Sequence, residues 1–166
     1  MHVREATSAD VPAIRRLFNS LIATTTVAWR DEEASAEEMR SWFADQRQAG
    51  QPVLVAELDG EIVGYTCWST FRGGDRLPGY RHTVEHTIHV DERHHGRGVG
   101  RALLTALVDE ARRRQVHVMV AGIDADNLGS IAFHRALGFT EVARMPEVGR
   151  KFDRWLDLVL MQRILD

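Results

Sequence analysis

The sequence predicts a mixed α/β fold, a central sheet of about seven strands flanked by about four helices. Three observations lead there. Some segments repeat apolar residues at helical spacing, while others alternate them or run them together. The two kinds interleave along the chain rather than separating into blocks. In mid-chain, a turn with glycines at 96, 98 and 100 joins a strand-like segment to a helix-like one. At 166 residues, 44% of them hydrophobic, the chain suffices for one core and is short for two, so 1–166 reads as a single domain.

The elements follow in order. VREA (3–6) is a short strand, and Thr7 or Ser8 caps a helix whose Ile14, Leu17, Phe18, Leu21 and Ile22 share one face. After a TTT loop, Ser35 and Glu38 form a capping box for a helix carrying Met39, Trp42 and Phe43, closed near Gly50. PVLVAEL and EIVGYTCW flank Asp59-Gly60, a strong hairpin signal, and should pair antiparallel. FRGGDRLPGYR (71–81) is a Gly/Pro loop, followed by the strand TVEHTIHV. The glycine turn opens a helix near 101–114. Then come the strand HVMVAGID, a helix near SIAFHRAL ending at Gly138, and the strands FTEVARM and RWLDLVLMQRIL.

Composition excludes several function classes. A formal charge of -3, from 21 basic and 24 acidic residues, gives no global field for nucleic acid or an anionic membrane. No signal-like start and no long apolar run is present, so the expectation is a cytoplasmic protein without membrane or nucleic-acid partners. The single Cys67, in a strand-like apolar run, reads as a packing residue. No metal is expected: His82, His86 and His89 do not share a strand face, and no HExxH or Cys/His spacing occurs.

The stretch RHHGRGVGRALL (93–104) combines alternate glycines, flanking basic residues and a helix N-terminus. Backbone N–H groups and the positive end of a helix dipole would converge there on an anion, best a phosphate. The alternative is a tight connection without a ligand. The spacing is not that of a dinucleotide-binding fingerprint, since the third glycine comes too early, and no GK[ST] completes a P-loop.

Those residues resemble the acyl-CoA turn of the GNAT N-acetyltransferases: Arg or Gln, two residues, Gly, one residue, then Gly or Ala. GYRHTVEHTIHV, HVMVAGIDADN with Ser130-Ile131 and His134, LGF, and VGRKFDRWLDLV are similar to the phosphinothricin and methionine-sulfoximine N-acetyltransferase group, over nearly the whole chain. This chain departs from the group in a longer loop, GGDRLP, between Arg72 and Gly79.

The resemblance implies a GNAT fold, acetyl-CoA as co-substrate, and acetylation of the α-amino group of a small amino-acid analogue by direct attack of the amine on the thioester. Coenzyme A is then expected on the backbone of Gly96, Arg97, Gly98, Val99, Gly100 and Arg101, on the main chain of Ile88, His89 and Val90, and on Asn127. For the arginines and Asn127 the alternatives are solvated side chains and a plain turn-former. An α-amino group, with a pKa of about 7.7 to 8.0, is mostly protonated at neutral pH, so a base is required. Glu85 matches the family's glutamate; its alternative is a structural or substrate-orienting carboxylate. His134 stands where many members place a tyrosine that protonates the leaving thiolate, and packing is its alternative. Arg72, Tyr80 and Arg81 match substrate positions, where arginine forks suit a carboxylate and an oxyacid head. The sequence does not fix the oligomeric state; a homodimer is one of the assemblies it leaves open. Two other readings stay open: a non-catalytic acyl-CoA sensor, and an acetyltransferase for another amine or a protein N-terminus.

Overall fold

The computed structural model describes residues 1–73 and 76–165; Gly74 and Asp75, within the 71–81 loop, lie outside the described residues. The main elements are β1 (His2–Glu5), α1 (Val11–Ile22), α2 (Ala36–Gln48), β2 (Val53–Leu58), β3 (Glu61–Thr70), β4 (Thr83–Val90), α3 (Val99–Arg113), β5 (Val118–Asp124), α4 (Leu128–Ala136), β6 (Thr140–Lys151) and β7 (Arg154–Ile164). The strands form one sheet of seven in the order β1-β2-β3-β4-β5-β7-β6, which is the mixed α/β architecture read from the sequence.

Local chemistry explains most boundaries. Ser35 accepts the Glu38 N–H at 3.0 Å and starts α2. Asp59 and Gly60 sit at φ +52° and +83°, the left-handed pair that a two-residue hairpin between β2 and β3 requires. The first helix begins later than Thr7 suggests. A 3-10 turn over Ser8–Asp10 intervenes, and α1 starts at Val11 because Pro12, lacking an N–H, fits only the first helical turn. β6 runs past Met145 to Lys151, with register shifts at Glu141/Ala143 and Met145/Gly149. Pro146 and Gly149 hide that extension from sequence reading because this is a sheet edge, where such residues are tolerated.

The helices cover both faces of the sheet. Ile14 and Leu17 of α1 and Met39 and Phe43 of α2 pack on Val53, Val55, Tyr65 and Cys67. On the other face Leu104 and Leu107 of α3 and Ile131 of α4 pack on Met119, Ala121, Val159 and Met161. Apolar side chains buried to this degree contribute about 1.5–3 kcal/mol each.

One irregularity makes the site. β4 pairs along its whole length with β3, but it pairs in parallel with β5 only over Thr83–Glu85, against Val118–Val120. Beyond Glu85 the strands diverge, because β5 continues against β7 through Asp124. A wedge therefore opens between the end of β4 and the end of β5, and Glu85 stands at its apex.

Candidate active site

The wedge holds two adjoining chambers. The outer one, about 630 Å³, lies between Ile88 and Val90 of β4, the glycine turn, and Asn127, Ser130, Phe133 and His134 around α4. The inner one, about 200 Å³, is walled by Phe18 of α1, Val27 and Ala28 of the loop after it, His86 to His89 of β4, and Ala121 to Asp124 of β5. Ile88, His89, Asn127, Ser130, His134 and Val27 border both.

The glycine turn lines the outer chamber with backbone. Gly96 and Gly98 adopt φ +74° and +81°, conformations strained for other residues, and open space lies where their Cβ atoms would be. Gly98 is the N-cap of the fifteen-residue α3, and no side chain caps it, so the first N–H groups of the helix face the chamber without an internal partner. Arg101 borders the chamber; Arg97 is exposed beside it. These features fit a phosphate-bearing ligand held by main chain and a helix dipole.

The β4 edge supplies directional groups. Asp91 N–H donates to Val63 O at 2.9 Å, and Thr87 O accepts from Thr66 Oγ1 at 2.7 Å, so alternate residues of β4 turn their main chain to β3. His89 belongs to that set, its carbonyl facing Gly64. Ile88 and Val90 turn theirs into the wedge, ready to pair with an extended ligand; Val90 O lies 3.0 Å from His95 Nε2. Of the three residues expected to offer main chain to the ligand, two point there. His89 borders the chambers with its imidazole, which packs on Tyr65 and Phe18.

Glu85 is half-buried at the apex, and burial raises its pKa above the ordinary carboxylate value. Its Oε1 lies against the Cα of Gly122, where an added Cβ would come within 3.0 Å. Glycine at 122 thus admits the carboxylate beside a residue that lines the inner chamber.

His134 is buried with both ring nitrogens engaged. Nδ1 lies 2.7 Å from Ser130 O and must be its N–H, so Nε2 is the lone pair that meets His86 Nε2 at 3.2 Å. His86 then donates from Nε2 and keeps Nδ1 as a buried acceptor with no partner among the described residues. Burial lowers the pKa of the three buried imidazoles of the chamber walls, to about 3 for His86 and about 4 for His89, with His134 shifted the same way.

Asn127 caps α4, its Oδ1 accepting the Ser130 N–H at 3.0 Å, while bordering both chambers. Arg72, Tyr80 and Arg81 form a separate exposed group. The Arg72 guanidinium lies 5.7 Å over the Tyr80 ring, and Arg81 Nη1 donates to Pro78 O at 3.0 Å. Their loop enters β4 at the Glu85 end, but none of the three lines either chamber. Sequence reasoning did not assign Phe18, Val27, Ala28 or Asp124 to the site. They lie on α1, the loop after it and the end of β5, and no short motif marks them.

The acetyltransferase (GNAT) family model matches residues 14–139, which span α1, the wedge strands, the glycine turn and α4. This chain belongs to the GNAT acetyltransferase family. It is 45% identical over 166 residues to an L-methionine sulfoximine/L-methionine sulfone acetyltransferase of Salmonella typhimurium, covering 100% of this chain and 95% of that one. A crystal structure of a GNAT superfamily phosphinothricin acetyltransferase from Sinorhizobium meliloti, in complex with acetyl-CoA, superposes with a TM-score of 0.93 at 33% identity, covering 99% of this chain and 88% of that chain. A ribosomal-protein-alanine N-acetyltransferase from Brucella melitensis superposes with a TM-score of 0.95 at 42% identity, covering 99% and 100%. In the GNAT frame the first amides of α3 at the glycine turn and the wedge-facing main chain of Ile88 and Val90 lie along one chamber.

Proposed function

We propose that this GNAT chain is a cytoplasmic, single-domain N-acetyltransferase that moves an acetyl group from acetyl-CoA to the α-amino group of a small amino-acid analogue such as methionine sulfone, methionine sulfoximine or phosphinothricin. The observation that carries this reading is the position of Glu85, a half-buried carboxylate of raised pKa that lines neither chamber but stands at the last β4–β5 pair, against Gly122 of the inner chamber wall. The relatives' names supply the substrate class. The formal charge of -3 fits a protein without nucleic-acid or membrane partners.

When bound, acetyl-CoA supplies an electrophilic thioester carbonyl and leaves as a thiol. The chain's part is to hold and to move protons. Amides of Val99, Gly100 and Arg101, with the Arg97 and Arg101 side chains at the rim, hold pyrophosphate; Ile88 and Val90 pair with the pantetheine amides; Asn127 fixes the turn beside them. Glu85 takes a proton from the substrate ammonium, leaving the uncharged amine that attacks. His134 delivers a proton to the departing sulfur. For this its Nε2, which carries a lone pair, leaves His86, takes the second proton given up by the attacking nitrogen and passes it to sulfur, while Nδ1–H stays on Ser130 O. Arg72, Tyr80 and Arg81, which line neither chamber, meet the substrate's anionic end only from outside the inner chamber, on the loop that enters β4.

The resemblance to a ribosomal-protein-alanine acetyltransferase keeps a protein N-terminus as the second reading. The inner chamber of about 200 Å³, closed by Val27 and Ala28, suits a free amino acid better. Thiol release from acetyl-CoA should proceed with methionine sulfone, methionine sulfoximine or phosphinothricin, and far more slowly with an alanine-ended peptide. Preference for the peptide would move the assignment to a protein terminus, and no release with any amine would leave a binding domain. Arg72→Gln and Arg81→Gln should each raise the amino-acid KM by about tenfold or more while sparing the acetyl-CoA KM, the loss of a charge-assisted bond of roughly 1.5–3 kcal/mol. Equal changes in both constants, or none, would remove the arginines from the substrate site.

For the assembly we propose a homodimer through the β6–β7 edge. β6 is exposed along nearly its whole length, with Val142, Met145 and Val148 bare and Trp155 of β7 60% exposed. Sedimentation velocity should give twice the chain mass at micromolar concentration. A monomer under those conditions would overturn this assembly.

A further inference from the structure

The segment between α1 and α2 forms the roof of the inner chamber, yet its sequence, TTTVAWR, contains neither glycine nor proline to dictate its path. Val27 and Ala28 face the chamber from it. The path is set from the far end of the chain. Lys151, the last residue of β6, is buried, and its Nζ donates to the carbonyls of Ile22 at 2.7 Å, Thr25 at 2.8 Å and Ala28 at 2.7 Å. Ile22 O is among the carbonyls left open at the C-terminus of α1, where a cation is also favoured by the helix dipole.

Two further ties act on the same segment. Thr26 Oγ1 donates to the buried Asp124 carboxylate at the end of β5. The Trp29 indole lies flat against Gly149, so closely that a Cβ at 149 would overlap the ring. Three separate contacts therefore hold residues 22–29 over the wedge. A buried ammonium deprived of its acceptors is costly, so the Lys151 bonds and the position of the segment enforce each other.

We propose that Lys151 is a positioning residue for amino-acid recognition: by tying down the segment after α1 it sets where Val27 and Ala28 stand, and hence the size and shape of the inner chamber. This rests on the reading of that chamber as the amino-acid site. The cofactor's main-chain contacts lie elsewhere, on β4 and the glycine turn; Val27 also borders the outer chamber, but Ala28 lines the inner one alone, so the tether acts chiefly on recognition of the amine.

The test measures two independent quantities in the full chain. In Lys151→Met, and separately in Thr26→Val, backbone amides of residues 23–30 should exchange hydrogen markedly faster than in the wild type. The KM for methionine sulfone should rise by about tenfold or more while the acetyl-CoA KM stays within about threefold. Thr26→Ser, which keeps the hydroxyl, should restore both readouts. A folded Lys151→Met protein with unchanged exchange over 23–30, or with both KM values rising together, would overturn the tether. If Lys151→Met does not fold, Thr26→Val against Thr26→Ser decides by the same criteria. If the wild type acetylates no amino acid, the substrate reading falls, and hydrogen exchange alone still decides whether Lys151 pins the segment.

Discussion

Acidification from pH 7.5 to pH 4.5 should cost the folded protein several kcal/mol of stability, and the cause is the set of buried imidazoles around the wedge. His89, packed between Tyr65 and Phe18, is held by burial at a pKa of about 4, against about 6.5 for an exposed ring. The unfolded chain takes up protons from about pH 6.5 downward, while the folded chain refuses them until about pH 4. The stabilisation is therefore complete above pH 6.5 and is lost as the pH falls toward 4, by at most about 3 kcal/mol for this one ring. His86 and His134 act in the same direction, each being buried and facing the other at 3.2 Å. Glu85, whose pKa is raised, acts oppositely and offsets part of the loss. Asp10 and Asp91, held at about 2 by Arg4 and Arg93, do not enter until the pH is below the ordinary aspartate value. Against a typical total of about 5–15 kcal/mol, such a change is easily read from urea midpoints at the two pH values and constant ionic strength. His89→Phe, which keeps a ring in the stack, should flatten the acid limb. Equal midpoints at pH 7.5 and 4.5 in the wild type would show that these rings titrate normally in the fold.

The parts of the molecule legible in sequence are those written over a few neighbouring residues. The Asp59-Gly60 hairpin, the Ser35 cap and the glycine turn each depend on backbone conformations that particular side chains allow or forbid. The wedge was not legible, because it arises where β4 leaves β5 after Glu85, and the partner of a strand is not encoded in the strand alone. The roof of the inner chamber was less so: Lys151 reaches Ile22 across 129 positions, and the sequence marked it only as part of the family-like segment VGRKFDRWLDLV, with edge-strand packing as the alternative and no sign of its partner. His134 shows a third kind of limit. Its place on α4 follows from helical spacing, whereas the commitment of its Nδ1 to Ser130 O and of its Nε2 to His86 depends on how α4 docks over β4.

Replacing Glu85 by Gln should lower kcat at pH 7 by about 100- to 10,000-fold, the usual contribution of a general base, and leave the acetyl-CoA KM nearly unchanged. The substitution preserves side-chain length and keeps a planar group against Gly122, so the β4–β5 junction has no reason to open. What disappears is a proton acceptor. Burial raises the Glu85 pKa above the ordinary carboxylate value, which makes the carboxylate a better base than an exposed one. Two pH signatures follow. In the wild type, kcat/KM should fall on the acid side as Glu85 takes a proton, with a midpoint above the ordinary glutamate value, and this limb should vanish in Glu85→Gln. Toward the alkaline side, the gap between mutant and wild type should narrow above about pH 8, because an α-amino group with a pKa of about 7.7 to 8.0 then loses its proton to solvent without help. If Glu85 instead only orients the ammonium, the mutation should chiefly raise the amino-acid KM, and the kcat deficit should be as large at pH 9 as at pH 7. Wild-type kcat in the mutant at pH 7, with chemistry shown to be rate-limiting by single-turnover kinetics, would take Glu85 out of the proton transfer altogether.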